Sequence, residues 1–234
     1  MKRFWFILAA FLGLAVQAVP ASADMVYTLT CDTVACSSPT NYGTVTLHQL
    51  GSGTVADPYT VEVTVNLAVA GNHFAGSGAG YAINWNITGN PDLTTTLVPT
   101  NASHPLLAGE IYDTSHFAIQ DSTASGNTYK ASPFGNNAWE YAIDYTLNGG
   151  NASNDNKLIF DVTKAGGLLL SNFAPTAAGF MFAVDIFKSP NGPTFVVAAK
   201  VPEPETWLLF LAGLAGLTGL VMLQRRRQLA RVTV

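Results

Sequence analysis

The chain has 234 residues and a formal net charge of −4, with 48% apolar and only 11% charged residues. That length is enough for one all-β domain or two small ones. All 15 acidic residues lie between Asp24 and Glu205, where five lysines and no arginine oppose them. A stretch so acidic is excluded as a nucleic-acid binder, because neutralising phosphates takes Lys and Arg.

Residues 1–23 begin with Lys2 and Arg3, continue through an apolar stretch from Phe4 to Val16, and end in Ala21-Ser22-Ala23 before Asp24. This is the order of a secretory signal peptide, an apolar helix removed after Ala23, with Ala21 and Ala23 as the cleavage-site residues. The protein is therefore expected to be exported. Cys31 and Cys36 in "CDTVACSS" then fall in a compartment that permits disulfides, and a bond between them is expected. A metal site there would need further ligands, and the nearest histidine in the sequence is His48. Nothing local supports a nucleophilic cysteine.

From residue 24 to residue 200 the pattern alternates with period 2, the signature of strands with one buried face. "GTVTLHQL" is a short candidate. In "YTVEVTVNLAV", Tyr59, Val61, Val63, Val65, Leu67 and Val69 share one face, and Thr60, Glu62, Thr64 and Asn66 take the other. "YAINWNIT" sets Tyr81, Ile83, Trp85 and Ile87 against Asn84 and Asn86. Alternation is poor from Asp92 to Pro133, where only "EIYD" and "FAIQ" suggest short strands and where an inserted or functional loop is expected. "YAIDYTL" sets Tyr141, Ile143, Tyr145 and Leu147 against Asp144 and Thr146. "KLIFDVT" and "TFVVAAK" are short candidates, and between them "FMFAVDIF" sets Phe180, Phe182, Val184 and Ile186 against Asp185, although Met181 and Phe187 make its second face partly apolar. Segments rich in Gly, Asn, Asp and Pro, such as "GSGT", "AGSGAG", "NGGNASNDN" and "KSPNGP", separate these runs and suit antiparallel connections. About seven to ten strands joined in this way predict an all-β fold, an antiparallel β-sandwich of the jelly-roll or immunoglobulin-like kind, as one body over 24–200.

Catalytic motifs are sparse. "GSGAG" from Gly76 to Gly80 lacks the spacing of a nucleophile elbow and reads as a flexible hairpin. His48, His73, His104 and His116 are scattered, and none belongs to a H-E-x-x-H motif. Asn154, Asp155 and Asn156 resemble a calcium loop in composition only, so an ordinary hairpin turn is expected there. Paired carboxylates can hydrolyse glycosides, but Glu62, Asp144 and Asp185 fall on strand faces expected to be solvated. Trp85, Trp139, Tyr81, Tyr141 and Tyr145 would serve a sugar-binding module if exposed; Tyr81 and Trp85 alternate with Ile83 and Ile87, which predicts core packing. Asn86, Asn101 and Asn151 begin Asn-x-Ser/Thr sequences. No catalytic residue, metal or cofactor is expected.

The composition changes at residue 201. Trp207 to Leu223 is an uncharged run of 17 residues, about 25 Å long as a helix and near the lower limit for a bilayer core of roughly 30 Å. Arg225, Arg226 and Arg227 follow and hold that end on the cytoplasmic side. Immediately before the run stand Val201, Pro202, Glu203 and Pro204; the prolines keep this segment extended and out of the helix. Residues 201–234, "VPEPETWLLFLAGLAGLTGLVMLQRRR" with the following "QLARVTV", resemble the PEP-CTERM sorting signal of Gram-negative bacteria. The resemblance covers about the last 30 residues. It implies processing by an exosortase at residues 201–204, a membrane helix that need only be transient, and a destination at the cell surface or in an extracellular matrix, with exopolysaccharide as a candidate partner. The expected product is a secreted, non-enzymatic surface or biofilm protein; a carbohydrate-binding or adhesive module and a secreted hydrolase are the alternatives.

Overall fold

The computed structural model describes residues 24–32, 40–77, 80–120, 129–135, 138–147, 155–188 and 192–201. The expected signal cleavage residues Ala21 and Ala23, Cys36, Pro202 to Pro204, the apolar run 207–223 and Arg225 to Arg227 lie outside them. By its contacts the chain divides between Val201 and Pro202, and every described residue belongs to the first part.

The alternating runs form strands because each can bury its apolar face only against a second sheet. One sheet contains β1 (Met25–Thr28), β2 (Thr44–Leu50), β3 (Thr60–Asn66), β6 (Thr94–Leu97) and β9 (Lys157–Thr163), in the order β1-β2-β3-β9-β6. The other contains β4 (Asn72–Phe74), β5 (Ile83–Trp85), β7 (Phe117–Gln120), β8 (Tyr141–Tyr145), β10 (Phe180–Lys188) and β11 (Thr194–Lys200), in the order β11-β10-β5-β8-β7, with β4 pairing further along β10. Every pairing is antiparallel. Val61, Val63 and Val65 of β3 and Leu158 and Phe160 of β9 share one core with Trp85, Ile143, Phe182 and Val184 of the facing sheet. Trp85 lies 5.1 Å from Phe160 across that interface and 5.8 Å from Tyr141 beside it. The all-β expectation holds, as an antiparallel sandwich of two sheets.

Several local expectations change. The described residues contain eleven strands, because β1, β4 and β6 were too short or too poorly alternating to stand out. The run through Val69 ends early: Asn66 Oδ1 accepts the Ala68 N–H at 3.0 Å and turns the chain into a short 3-10 helix at Ala68–Ala70. "FAIQ" is β7, but "EIYD" is not a strand. It belongs to a segment, residues 98–116, that runs over the outer face of the first sheet and is fixed there by polar contacts. Glu110 accepts from Lys157 Nζ and Asn66 Nδ2, both at 2.7 Å, and from the Leu107 N–H at 2.8 Å. Tyr112 donates to the Ile159 carbonyl at 2.9 Å, and burial pushes its hydroxyl up to about 12.

Asp155 and Asn156 are not part of a solvated turn, for they are buried and anchor this segment. Asn156 Oδ1 accepts from the Ile111 N–H at 2.7 Å and its amide donates to the Gly109 carbonyl at 2.8 Å. Asp155 accepts from the Asp113 N–H at 2.9 Å and the Tyr145 hydroxyl at 3.0 Å, and pairs with His116 at 2.6 Å. Buried polar groups are tolerated when bonded, and here the bonds stitch a cover onto the sheet.

A second segment covers the opposite sheet. Ala131, Phe134 and Trp139 pack with Ala183, Val196, Ala198 and Cys31 on its outer face. The second face of β10, expected to be partly solvated, is therefore buried as well: Met181, Ala183, Asp185 and Phe187 are all enclosed. The N-terminal strand closes this arrangement by passing from one sheet to the other, pairing with β2 through Thr28 and bridging Ala198 of β11 at Cys31. Cys31 itself is disulfide-bonded.

The Glu110–Lys157 pair is buried on both sides. Burial raises the Glu110 carboxyl, but the bonds from Lys157, Leu107 and Asn66 outweigh it and hold the group below its ordinary value. Removing one partner strands a buried charge, so Glu110→Ala is expected to lower stability by about 3–5 kcal/mol in urea denaturation, with a Glu110→Leu/Lys157→Met double variant recovering most of that loss. A single variant as stable as the parent would show that the pair does not hold the cover.

Candidate functional site

The outer face of the second sheet carries an unusual polar group. Asp185 sits on β10 with no exposed surface, and Asn84 on β5 is likewise fully enclosed. Asp185 is held at three points by the loop between β4 and β5, residues 75–82. The Ala75 N–H donates to its carbonyl at 3.1 Å, its own N–H donates to Tyr81 O at 3.0 Å, and Ser77 donates to Oδ2 through its N–H at 3.1 Å and through its hydroxyl. Ala75, Ser77 and Tyr81, which flank or fall within the "GSGAG" run, are thus clamped onto one aspartate. Glycine is required at both ends of that run: a Cβ at Gly76 would lie 2.6 Å from the Leu147 carbonyl oxygen, and one at Gly80 would lie 2.9 Å from a Val196 methyl and 3.5 Å from the Asp185 Cβ.

Beside this clamp a pocket of about 250 Å³ opens, lined by Gly76, Gly80, Tyr81, Lys130, Asp144, Tyr145 and Thr146. Asp144 lies on β8 and Asp185 on β10, two strands apart with β5 between them, which puts roughly 10 Å between their backbones at 4.7–4.9 Å per strand. Burial raises the Asp144 carboxyl. Burial also pushes Asp185 up, to about 6; the Ser77 bonds oppose this and the nearby Asp144 charge adds to it. Tyr81 is raised by burial and by Asp144. One Asp185 oxygen and both polar atoms of Asn84 have no hydrogen-bond partner. The expectation that Asp185 faces solvent is overturned: the loop and the outer cover seal it in. Asp144 is half-buried, and so is Glu62, whose carboxylate pairs with His104 at 2.7 Å.

The other candidates disperse. His48 pairs with Asp24 at 2.5 Å, and His116 lies between Asp155 and Asp113, at 2.6 Å and 3.8 Å. His73 stands opposite Phe187 in the pairing of β4 with β10. Among the described residues no three His, Cys, Asp or Glu side chains are grouped to hold a metal. Trp85 and Trp139 are fully buried and Tyr141 and Tyr145 nearly so; Tyr81 and Tyr145 both line the pocket, and of the two Tyr81 is the partly exposed one. Asn86 is enclosed, donating to the Ala138 carbonyl at 3.0 Å and accepting from the Glu140 N–H at 2.8 Å, so it is no glycan acceptor in the folded body. Asn101 is exposed, and Asn151 lies outside the described residues. Val201 is partly exposed and bonds through its N–H to the Gly179 carbonyl at 3.1 Å. No helix among the described residues is long and apolar enough to cross a membrane. No family model, curated protein or solved structure matches this chain.

The pocket escaped sequence reasoning because its walls come from three separate segments. A usable signal was Asp185 itself, one acid among apolar neighbours on both strand faces.

Because the raised Asp185 favours its protonated form in the fold, the folded state binds more protons than the unfolded chain between the ordinary value of 3.8 and about 6. Stability contributed by this group is therefore full below pH 4, falls as pH rises through 6, and is lower by about 3 kcal/mol above that. Asp185→Asn keeps an acceptor for Ser77 and should flatten this decline in urea denaturation between pH 4 and 7.5; identical slopes in both proteins would refute it.

Proposed function

We propose that the chain is a secreted, non-enzymatic surface or extracellular-matrix protein, sorted by an exosortase through its C-terminal segment and associated with exopolysaccharide or biofilm. The observation that carries this reading is where the body ends. β11 finishes at Lys200 and Val201 makes a backbone bond to Gly179, and Pro202-Glu203-Pro204 begins at the next residue of the sequence. A sandwich whose last strand closes immediately before the recognition segment can fold while that segment stays available to an enzyme at the membrane.

In this reading the signal helix is removed after Ala23, and a helix over 207–223 parks the chain in the inner membrane. Arg225, Arg226 and Arg227 set its orientation, and the body, of the jelly-roll or immunoglobulin-like kind, faces outward. The non-enzymatic part draws support from Asp185. Of the two described carboxylates near the pocket, it is sealed from solvent and bound by Ser77, which among the described residues leaves Asp144 as the one carboxylate on the pocket wall, where glycoside hydrolysis would need a pair.

The sorting claim is tested by mass. In a host carrying the matching exosortase, the mature protein should start at Asp24 and lack the arginine cluster, whereas Pro202→Ala/Glu203→Ala should keep the full tail and remain in the inner membrane. A variant with the parent's C-terminus and location would sink the proposal.

A further inference from the structure

The pocket beside Asp144 has the composition of a site for a small neutral, polyhydroxylated ring. Its volume of about 250 Å³ falls below the roughly 300–1,000 Å³ that encloses a drug-sized ligand, so the occupant is one ring and not a chain. Gly76 and Gly80 line it with bare backbone, since a Cβ on either would press on the Leu147 carbonyl oxygen or a Val196 methyl. Tyr81 supplies an aromatic wall, steadied by an edge contact with Tyr129 at 5.1 Å. Aromatic faces stack on the apolar C–H faces of flat rings while their polar edges stay wet.

The polar groups fit hydroxyls better than ions. Asp144 is a half-buried acceptor, and Lys130 is an exposed donor on the same pocket. Among the described residues neither joins an ion pair. A metal ion would meet Lys130, and an anion would meet Asp144 above the buried Asp185. A hydroxyl both donates and accepts, so vicinal hydroxyls of one ring satisfy Asp144 and Lys130 together without importing charge into a site already short of solvent. Asp185 lies close to Gly80, and its unpartnered oxygen, with the unpartnered amide of Asn84 on the neighbouring strand, makes this part of the sheet polar.

We infer that this pocket binds a single neutral sugar residue, with Asp144 accepting from one hydroxyl, Lys130 donating to another, and the Tyr81 ring against the sugar face. This goes beyond the sorting reading and uses none of the tail residues, so the two stand or fall separately. In place of the buried tryptophans it assigns sugar recognition to residues from three separate segments.

The test is saturation-transfer NMR on the full-length chain in detergent, with D-glucose, D-galactose and D-mannose as probes and glycine as the zwitterionic control. The expected result is transfer to the ring protons of at least one hexose. Asp144→Ala should weaken its apparent affinity about tenfold or more, the size expected for losing a hydrogen bond to a charged group, and Tyr81→Ala should weaken it by roughly threefold to tenfold through loss of the aromatic face. Lys130→Ala, an exposed position that leaves the fold intact, should weaken it as well. No transfer to any hexose at millimolar concentration, transfer unchanged in all three variants, or transfer to glycine alone would overturn the assignment. The tail variant Pro202→Ala/Glu203→Ala should bind the hexose as the parent does.

Discussion

The burial of β10 on both faces organises the rest of the molecule. The nine residues from Phe180 to Lys188 pair with β11 along one edge and with β5 and β4 along the other. One face of the strand meets the opposite sheet through Phe182, Val184 and Ile186, and the other meets the cover built from Phe134 and Trp139. An antiparallel sheet ordinarily leaves one face wet. Here both must be closed, and Asp185, one acid inside that enclosure, must be satisfied by whatever closes it. The clamp of Ser77 and the backbone at Ala75 and Tyr81 meets that need only in part. One carboxylate oxygen stays unpartnered, the group is held toward its neutral form, and the loop that bonds it becomes a wall of the pocket.

The same logic recurs on the first sheet with a different solution. There the cover is fixed by a paired buried charge, Glu110 with Lys157, and by Asp155 and Asn156, whose side chains bond Asp113 and Ile111 backbone groups. Those groups have partners of opposite sign or matched donors, although His104 Nδ1 and one oxygen of Asp161 on the same side stay unpartnered. Among the described residues no counter-charge pairs with Asp185, and the neighbouring acid Asp144 raises its proton affinity further. Incomplete satisfaction beside an open pocket separates a candidate binding site from a structural anchor.

Much of the sheet architecture could be read from the chain. Val61, Val63 and Val65 alternate because only one face of β3 is buried, and period 2 reports that directly. The pattern failed where a third layer intervened. Ile159 and Lys157 share an outward face and are both buried, because residues 98–116 lie over them; no periodicity encodes a cover that arrives from elsewhere in the chain. Asp155 and Asn156 looked like turn residues for the same reason, since their side chains serve a segment some forty residues away. The burial of Trp85 followed from its alternation with Ile83 and Ile87, whereas Trp139 is buried in the outer cluster instead and Tyr81, expected in the core with Trp85, is only partly buried and lines the pocket. The pocket did not follow, because Tyr81, Lys130 and Asp144 are brought together only by the order in which strands pair.

The central claim is that a buried, incompletely bonded aspartate shapes the loop and the pocket beside it. It is tested most directly by following the Asp185 side-chain carboxyl carbon by NMR as pH is varied. The account predicts a midpoint near 6, with the Ala75 and Ser77 amide resonances, which donate to that residue, and the Asp185 amide, which donates to the Tyr81 carbonyl, moving at the same midpoint. A midpoint at or below about 3.9, the ordinary value for a solvated aspartate, would contradict it.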